Sequence, residues 1–213
     1  MNRHYDGTSE ALLTAAHRLL AEDGPEALTV RRIAGEAGMS TMNVYSRFGG
    51  KDGVIDELYA DGYRRLVAEI DSVPESDDVP ADLMTVAHTY RAFAQSNPTY
   101  YGIMFRSAVP GYTPSPESSA VALGGLARFV SRVKRGQELG QIVSFDNCDP
   151  QEIAAWLWAT CHGIVSLELD GIANERVSWE SIFVNGMRTA IHGLHPSVAP
   201  APTIDATPVA DVR

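Results

Sequence analysis

The chain has 213 residues and a formal net charge of −10, and 45% of its residues are hydrophobic. This length supports a sizeable core in one or two domains, and the composition is that of a globular protein. No apolar run approaches the roughly 20 residues that span a bilayer, and the polar start MNRHYDGTSE has no signal-peptide pattern. The two isolated cysteines, Cys148 and Cys161, favour buried free thiols in a reducing cytoplasm.

The negative charge is unevenly distributed along the chain. Residues 1–52 carry six Lys/Arg and seven Asp/Glu, whereas the remainder carries eleven and twenty. The overall acidity argues against unselective binding of nucleic acid. It does not describe the N-terminal segment, which is close to neutral.

Apolar residues recur at helical spacing, which predicts an all-α fold. The predicted helices run from a cap at Thr8–Glu10 to a stop at Gly24–Pro25, then over 29–37, 41–48, 51–70, 81–96, 98–106, 117–138, 150–169 and 178–192. Residues 71–80 predict an acidic linker with prolines, and residues 108–115 predict a loop. The proline-rich residues 196–213 predict a disordered tail.

Two short helices joined by a glycine-containing turn are typical of a helix-turn-helix. Here Thr29 caps the first helix, Gly38 ends it, and Ser40 or Thr41 starts the second. On a helical wheel with Val44 inward, the outward face is polar, small or aromatic and bears no carboxylate. Such a face suits a duplex, because hydroxyls, amides and arginine reach bases and phosphates that would repel acids. The alternative is a polar face that is merely solvated.

The segment TVRRIAGEAGMSTMNVYSRFGGKDGVIDELY resembles the DNA-binding domain of the TetR (tetracycline-repressor) family of bacterial regulators. The motif is Thr-x-x-x-Ile-Ala, Ala-Gly-Met-Ser, Val-Tyr-x-x-Phe and then Lys, within residues 8–59. The resemblance implies a three-helix DNA-binding domain over residues 1–52 and a connecting helix over 51–70. It also implies a helical effector-binding and dimerisation domain over residues 80–193. Arg47 stands where many members have histidine.

The resemblance implies, by position, which side chains contact a palindromic operator. Contacts with phosphate or sugar are implied for Thr29, Ser40, Thr41, Tyr45, Arg47 and Lys51. Contacts with base edges are implied for Met42, Asn43 and Ser46. Two interpretations of Arg31 and Arg32 remain open, in which one reaches a phosphate while the other pairs with Glu36.

The segment IAAWLWATCHGIVSLEL (residues 153–169) is apolar on nearly every side, so we expect it to be buried on more than one face. The resemblance implies that the last two helices form a homodimer interface, whereas the alternative is one thick monomer core. Trp158, His162 and Gly163 resemble the Trp-x-x-x-His-Gly pattern of one TetR subgroup. We expect Gly163 to lie where two helices approach closely.

A pocket for a small apolar or aromatic effector is a further implication of the resemblance. Its candidate lining consists of Tyr90, Phe93, Tyr100, Tyr101, Met104, Phe105, Phe129, Trp158 and His162. The alternative for each aromatic residue is a place in the plain core. A lone histidine in an apolar helix is more often a core residue than a ligand, so we expect no metal at His162 and no cofactor.

Together with these patterns, the resemblance implies a cytoplasmic, homodimeric transcription regulator, most simply a repressor that a small effector releases from DNA. The sequence has no nucleophile elbow, P-loop, dinucleotide-binding or zinc-protease motif, which argues against an enzyme. The remaining alternative is a helical protein that binds a small molecule or a partner and whose DNA-binding head is inactive.

Overall fold

A computed structural model of the protein describes residues 6–143, 148–172 and 178–198, and this part of the chain is all-helical. The helices are α1 (Gly7–Asp23), α2 (Val30–Glu36), α3 (Thr41–Phe48), α4 (Lys51–Asp71), α5 (Val79–Ser96), α6 (Pro98–Phe105), α7 (Pro116–Glu138), α8 (Pro150–Leu169) and α9 (Trp179–His192). The prediction of an all-α fold is confirmed. Most of the predicted tail, residues 199–213, lies outside the described residues.

The start of α1 differs from the prediction. Asp6, and not the Thr8–Glu10 segment, is the N-cap, and its side chain accepts a hydrogen bond from the Ser9 backbone amide at 2.8 Å. A carboxylate at this position satisfies an amide that has no partner within the helix. The predicted stop at Gly24 is confirmed, since Gly24 is the C-cap of α1.

The later helix ends follow local signals in the sequence. Asp149 caps α8 by accepting hydrogen bonds from the backbone amides of Gln151 and Glu152, and Ser178 caps α9. The predicted linker is shorter than expected, because α4 continues to Asp71 and α5 already begins at Val79. Pro80 is compatible with this early start, since the first turn of a helix does not need the amide that proline lacks.

The described residues fall into two compact units. The first contains the residues up to Pro74 together with Thr85–Arg128, and the second contains Glu75–Met84 together with the residues from Phe129 onward. In the first unit, α1, α2 and α3 pack around the fully buried Leu12, Ile33 and Val44. This apolar centre fixes the position of α3 and confirms that Val44 faces inward.

In the second unit, α8 and α9 pack against each other through fully buried apolar side chains. The largest of these are Leu157, Val165, Phe183 and Met187. Within the three described ranges, every helix falls short of the length and apolarity that a membrane crossing needs.

Candidate nucleic-acid interface and ligand site

A Schellman motif forms the turn between α2 and α3. The Met39 amide donates to the Ala34 carbonyl at 2.8 Å, and the Gly38 amide donates to the Gly35 carbonyl at 3.1 Å. Gly38 has a φ of 66°, a left-handed conformation that glycine adopts without steric cost. Because this turn is closed by backbone hydrogen bonds, it sets the direction in which α3 leaves α2.

The outward face of α3 exposes side chains that are large or can form hydrogen bonds. Met42 is 70% exposed and Tyr45 is 54% exposed, although both are large. Thr41 and Ser46 are also exposed, and Asn43 is half-buried. An exposed large residue is ordinary by itself, but two of them among hydroxyls and an amide are typical of a surface that meets a partner.

The polar side chains of α3 bind one another. The Asn43 Nδ2 group donates to the Ser40 hydroxyl at 3.3 Å, and Arg47 Nη1 donates to Asn43 Oδ1 at 3.2 Å. The Ser46 hydroxyl donates to the Asn43 carbonyl at 3.3 Å. The amide of Asn43 is therefore oriented before any duplex arrives.

The cations around α3 differ in whether they form an ion pair with a carboxylate. Arg47 Nη2 lies 2.9 Å from Asp6 Oδ2, which brings a carboxylate to a helix that carries none of its own. The side-chain hydrogen bond from Arg47 lowers the pKa of the Asp6 carboxyl below its usual range, and the Ser9 amide adds to this effect. By contrast, Lys51 and Arg31 are exposed, and the described part of the chain shows no ion pair for either.

The expected pairing of Arg31 or Arg32 with Glu36 is wrong. Glu36 pairs with Arg18 of α1, and Arg32 pairs with Asp23 at the end of α1. Both pairs join α2 to α1, so they orient α2. This leaves Arg31 as the arginine of α2 that remains available to a phosphate.

Thr29 caps α2, because its hydroxyl oxygen accepts a hydrogen bond from the Arg32 amide at 3.2 Å. The side chain is exposed at the helix N-terminus, where the helix dipole and amides favour an anion. Ser40 is the N-cap of α3 but makes no capping bond to a backbone amide. Its hydroxyl accepts a hydrogen bond from Asn43 and remains exposed.

Three of the predicted ligand residues come together in the first unit. Tyr101 and Phe105 have ring centroids 4.9 Å apart, and Tyr90 lies 6.2 Å from Tyr101 and 6.3 Å from Phe105. Tyr63 of α4, which was not predicted, completes the cluster at 5.5 Å from Phe105. We call these four rings the aromatic cluster. Burial raises the pKa of the Tyr63 hydroxyl well above its ordinary value.

Three other predicted ligand residues of the first unit are packed against α4 or in the core. Phe93 and Met104 are buried, and a Cβ atom on Gly62 would lie 2.7 Å from the Met104 sulfur. The Tyr100 hydroxyl donates to Asp61 at 2.7 Å. Tyr100 and Met104 of α6 therefore contact α4, the predicted connecting helix.

The remaining predicted ligand residues, Phe129, Trp158 and His162, belong to the second unit. Trp158 is 37% exposed, and its ring lies 5.4 Å from that of His162. Burial lowers the pKa of His162, and a ring nitrogen lies 3.3 Å from the Ser166 hydroxyl. Since this favours the neutral imidazole, His162 presents a polar but uncharged edge beside Trp158.

The surface of α8 and α9 exposes several large apolar side chains. Trp156 is 45% exposed, and Leu167 and Ile182 are exposed as well. The glycine at the close approach of α8 and α9 is Gly186, where an added Cβ would lie 2.8 Å from Ile164 Cδ1. An added Cβ on Gly163 would meet no atom within 4 Å, so the expected close approach there does not occur among the residues that the structure describes.

Asp56 of α4 anchors the loop before α7. It accepts hydrogen bonds from the Tyr112 hydroxyl at 2.8 Å, from the backbone amide and hydroxyl of Ser115 at 2.9 and 2.7 Å, and from the Ser118 hydroxyl at 2.6 Å. Burial alone would raise the pKa of Asp56, but these hydrogen bonds together lower it. Asp56 and Asp6 are polar anchors that sequence analysis missed, since Tyr112 and Arg47 are distant from them in sequence.

The thiols and histidines show no metal chemistry in the described ranges. Cys161 is buried and Cys148 is half-buried, and no disulfide joins them in the described part of the chain. No group of three or more His, Cys, Asp or Glu side chains within those ranges is arranged to hold a metal ion. His192 and His195 have ring centroids 6.1 Å apart, and the His195 Nδ1 atom lies 2.8 Å from the Ser197 hydroxyl.

Comparison with known proteins agrees with this architecture. Residues 12–58 match the family model described as bacterial regulatory proteins, tetR family. Residues 83–184 match the model described as tetracyclin repressor-like, C-terminal domain. The two matches together span well over half of the chain.

The HTH-type transcriptional regulator Rv1816 of Mycobacterium tuberculosis is 26% identical over 186 residues, covering 75% of this chain and 80% of that protein. A solved structure of a protein of unknown function from Rhodococcus sp. RHA1 has 25% identity and a TM-score of 0.77, covering 92% of this chain and 99% of that chain. The structure of a candidate regulatory protein, SCO4313, has 25% identity and a TM-score of 0.72, covering 86% and 95% of the two chains. The chain belongs to the TetR family and is a helix-turn-helix transcriptional regulator, not an enzyme.

Proposed function

We propose that the protein is a homodimeric repressor that binds a palindromic operator through α3 and is released by a small apolar or aromatic effector. The observation that carries this proposal is the outward face of α3, where Met42 and Tyr45 stand exposed among hydroxyls and an amide. Hydroxyls and amides bind both base edges and phosphate oxygens. A regulator of this kind works in the cytoplasm, where the bacterial chromosome lies.

The proposed contacts divide into two groups. Met42, Asn43 and Ser46 face base edges, because they lie on the outward side of α3. The surrounding groups contact the phosphate backbone, and they are Thr29, Arg31, Ser40, Thr41, Tyr45, Arg47 and Lys51. Their spread over α2, α3 and the start of α4 supports a helix that enters the major groove while its neighbours hold the two strands.

Lys51 offers a direct test of the backbone contacts. It is exposed without an ion pair in the described residues, so its replacement leaves no carboxylate unpaired. We expect Lys51→Ala to weaken binding to every duplex and to reduce the slope of log affinity against log salt by about 0.9 for each head. Lys134→Ala is the matched control, because Lys134 is an exposed lysine of α7 in the second unit.

The two variants separate a DNA contact from bulk charge. Both remove one positive charge, so equal effects on the salt slope would contradict the assignment of Lys51. Duplex binding that neither variant changes would likewise contradict the assignment of Lys51. A folded, dimeric wild-type protein that binds no duplex would favour a helical protein with an inactive head. Duplex titrations over a series of salt concentrations provide the measurement.

Homodimerisation through α8 and α9 is the second element of the proposal. Trp156, Leu167 and Ile182 are exposed on these helices, and the open space at Gly163 would admit a partner helix. A two-fold pair of such faces would bury apolar surface that each single chain leaves in water. A dimer would also supply two heads, which a palindromic operator needs.

A charge-free polar substitution tests this interface. We expect Ile182→Ser to shift the monomer–dimer equilibrium toward monomer in sedimentation velocity experiments. Leu123→Ser is the matched control, because Leu123 is an exposed leucine of α7 outside the proposed interface. An equal shift in both variants, or no shift in Ile182→Ser, would place the interface elsewhere.

The aromatic cluster supports effector binding in the first unit. Its rings come from α4, α5 and α6, and α4 is the helix that follows the DNA-binding segment. An effector that fits one arrangement of these helices better than another would shift the population away from the DNA-binding state. Phe105 is the half-buried member, and Phe93 and Met104 of the same unit remain candidates for the lining. Phe129, Trp158 and His162 belong to the second unit and stay separate candidates there.

A fluorescent probe with apolar aromatic rings can test the aromatic cluster before an effector is identified. We expect Phe105→Ala to weaken the binding of 1-anilinonaphthalene-8-sulfonate to the folded protein by about 5-fold, roughly the loss of one good apolar contact. The exposed Leu123→Ser variant is again the control. Unchanged probe affinity in a folded Phe105→Ala protein would move the pocket away from this ring.

A further inference from the structure

One carboxylate connects the start of α1 to the DNA-binding helix α3. Asp6 Oδ2 accepts from Arg47 Nη2 at 2.9 Å, and Oδ1 accepts from Arg47 Nε at 3.3 Å. The same Oδ1 accepts from the Ser9 amide at 2.8 Å and so caps α1. The Asp6 carboxylate therefore accepts from both Nε and Nη2 of the guanidinium, which is the bidentate geometry of a specific arginine–carboxylate pair.

The third nitrogen of Arg47 is also engaged. Nη1 donates to Asn43 Oδ1 at 3.2 Å and to the Ser46 hydroxyl at 3.4 Å. The Asn43 Nδ2 group then donates to Ser40 at 3.3 Å. One continuous chain of hydrogen bonds thus runs from Asp6 through Arg47 to the side chains that face outward on α3.

We propose that Asp6 is a positioning residue that determines DNA specificity. It holds Arg47 on Asn43 and Ser46, and on unrelated DNA it competes with phosphate for the guanidinium, so that the Arg47–phosphate contact proposed above forms fully only on the operator. Phosphate contacts strengthen binding to every duplex alike, whereas an oriented amide distinguishes bases. Asp6 thereby lowers affinity for unrelated DNA and raises the preference for the operator. This inference rests on the proposed DNA-binding function.

The chain offers a clean pair of variants for this proposal. Asp6→Asn removes the charge but keeps a side-chain oxygen that caps α1 equally well. The ion pair is exposed, and exposed pairs contribute little to folding, so the variant is expected to fold. Arg47→Gln removes the other partner, and the double variant tests whether Asp6 acts through Arg47. Glu22→Gln is the control for charge, because it removes one exposed carboxylate from the same helix.

The experiment compares binding to the operator selected by the wild-type protein with binding to a scrambled duplex of equal length. We expect Asp6→Asn to bind the scrambled duplex about 5-fold more tightly, as one charge-assisted contact is gained. Its salt slope is expected to become steeper by about 0.9 for each head. The preference for the operator is expected to fall by a similar factor of about 5. In the Arg47→Gln background, Asp6→Asn is expected to change none of these quantities.

Each other outcome overturns the proposal. If Asp6→Asn matches Glu22→Gln in salt slope and in operator preference, Asp6 acts only as a cap and a surface charge. If Asp6→Asn has the same effect with and without Arg47, it does not act through that residue. A wild-type operator preference that survives Asp6→Asn refutes this inference alone. A folded, dimeric wild-type protein that prefers no duplex refutes the proposed function as well.

Discussion

The outward face of α3 and the outer surface of α8 and α9 both leave large side chains in water, but with different neighbours. On α3, Met42 and Tyr45 stand among hydroxyls, an amide and the nearby cation of Lys51. On α8 and α9, the exposed large side chains are apolar, and they are Trp156, Leu167 and Ile182. Exposure by itself is ordinary, whereas the groups around an exposed side chain indicate what kind of partner would suit it. A polyanion suits the first surface, and a second copy of an apolar face suits the other.

The largest expected effect is a loss of operator affinity when exposed side chains of the DNA-binding surface are removed. Tyr45→Ala combined with Lys51→Ala removes two backbone contacts from each head, at about 1 kcal/mol each. For two heads we expect operator affinity to fall about 1000-fold. Fluorescence anisotropy with a labelled operator measures this loss. Dimerisation and thermal stability are expected to stay unchanged, and a loss of either would mean that these side chains support the fold.

The apolar surface is tested by comparing a buried ring with an exposed one. Phe183→Ala opens a cavity between α8 and α9, so we expect the free energy of unfolding to fall by about 3–5 kcal/mol. Trp156→Ala is expected to change the stability of the single chain by less than about 1 kcal/mol, because the ring is already exposed. It is expected instead to weaken the dimer. Urea titrations at several protein concentrations separate the two effects, and a dimer unaffected by Trp156→Ala would contradict the assigned face.

Asp56 belongs to neither of these two surfaces and instead anchors the loop before α7. Its replacement therefore tests the stability of the fold without changing either surface. We expect Asp56→Asn to lower the free energy of unfolding by about 1–2 kcal/mol at pH 7, because one oxygen acceptor is lost. A carboxyl whose pKa is lowered by folding stabilises the fold fully above its unfolded pKa, and this contribution disappears as pH falls through the folded pKa.

The expected difference in melting temperature between wild type and Asp56→Asn is therefore constant from pH 7 to about pH 5 and shrinks below about pH 4. Thermal unfolding over this pH range provides the measurement. Tyr112→Phe is the matched control, since it removes one donor and leaves the carboxylate in place. A difference that grows on acidification would mean that Asp56 is protonated in the folded chain.

The smallest effects are expected at the two glycines of α8 and α9. Gly163→Ala is expected to stabilise the single chain by about 0.5–1 kcal/mol, because an added Cβ meets nothing nearby and the helix loses less backbone entropy. Gly186→Ala is expected to gain less, since its Cβ would press on Ile164. Urea unfolding at low protein concentration measures both changes. A larger gain at Gly186 would contradict the close approach of the two helices.

Local signals in the sequence predicted most helix ends. Thr29, Asp149 and Ser178 act on amides two or three residues away, so their capping roles are visible in the sequence. The turn at Gly38 was predictable for the same reason. Asp6 was missed at the start of α1 because Thr8 and Ser9 offered competing caps nearby.

Long-range polar pairs escaped prediction for a physical reason. Asp6 and Arg47 are 41 residues apart, and Asp56 and Tyr112 are 56 residues apart, so no spacing rule connects them. Glu36 took Arg18 as its partner instead of an arginine of its own helix, because α1 lies alongside α2. Tyr101 and Phe93 were predicted to line a pocket, with the plain core as the alternative, and both are buried. The sequence did not predict that Tyr63 joins the aromatic cluster or that Trp158 belongs to the other unit.

Selection of binding sites from a random duplex pool tests the central claim most directly. The purified protein would be freed of bound small molecules and kept at moderate salt. The account predicts an enriched inverted repeat, with half-sites about one helical turn apart or slightly more. Failure of a folded, dimeric protein to enrich any sequence would contradict the claim that α3 reads DNA. Enrichment of a single half-site without symmetry would contradict binding as a two-fold dimer.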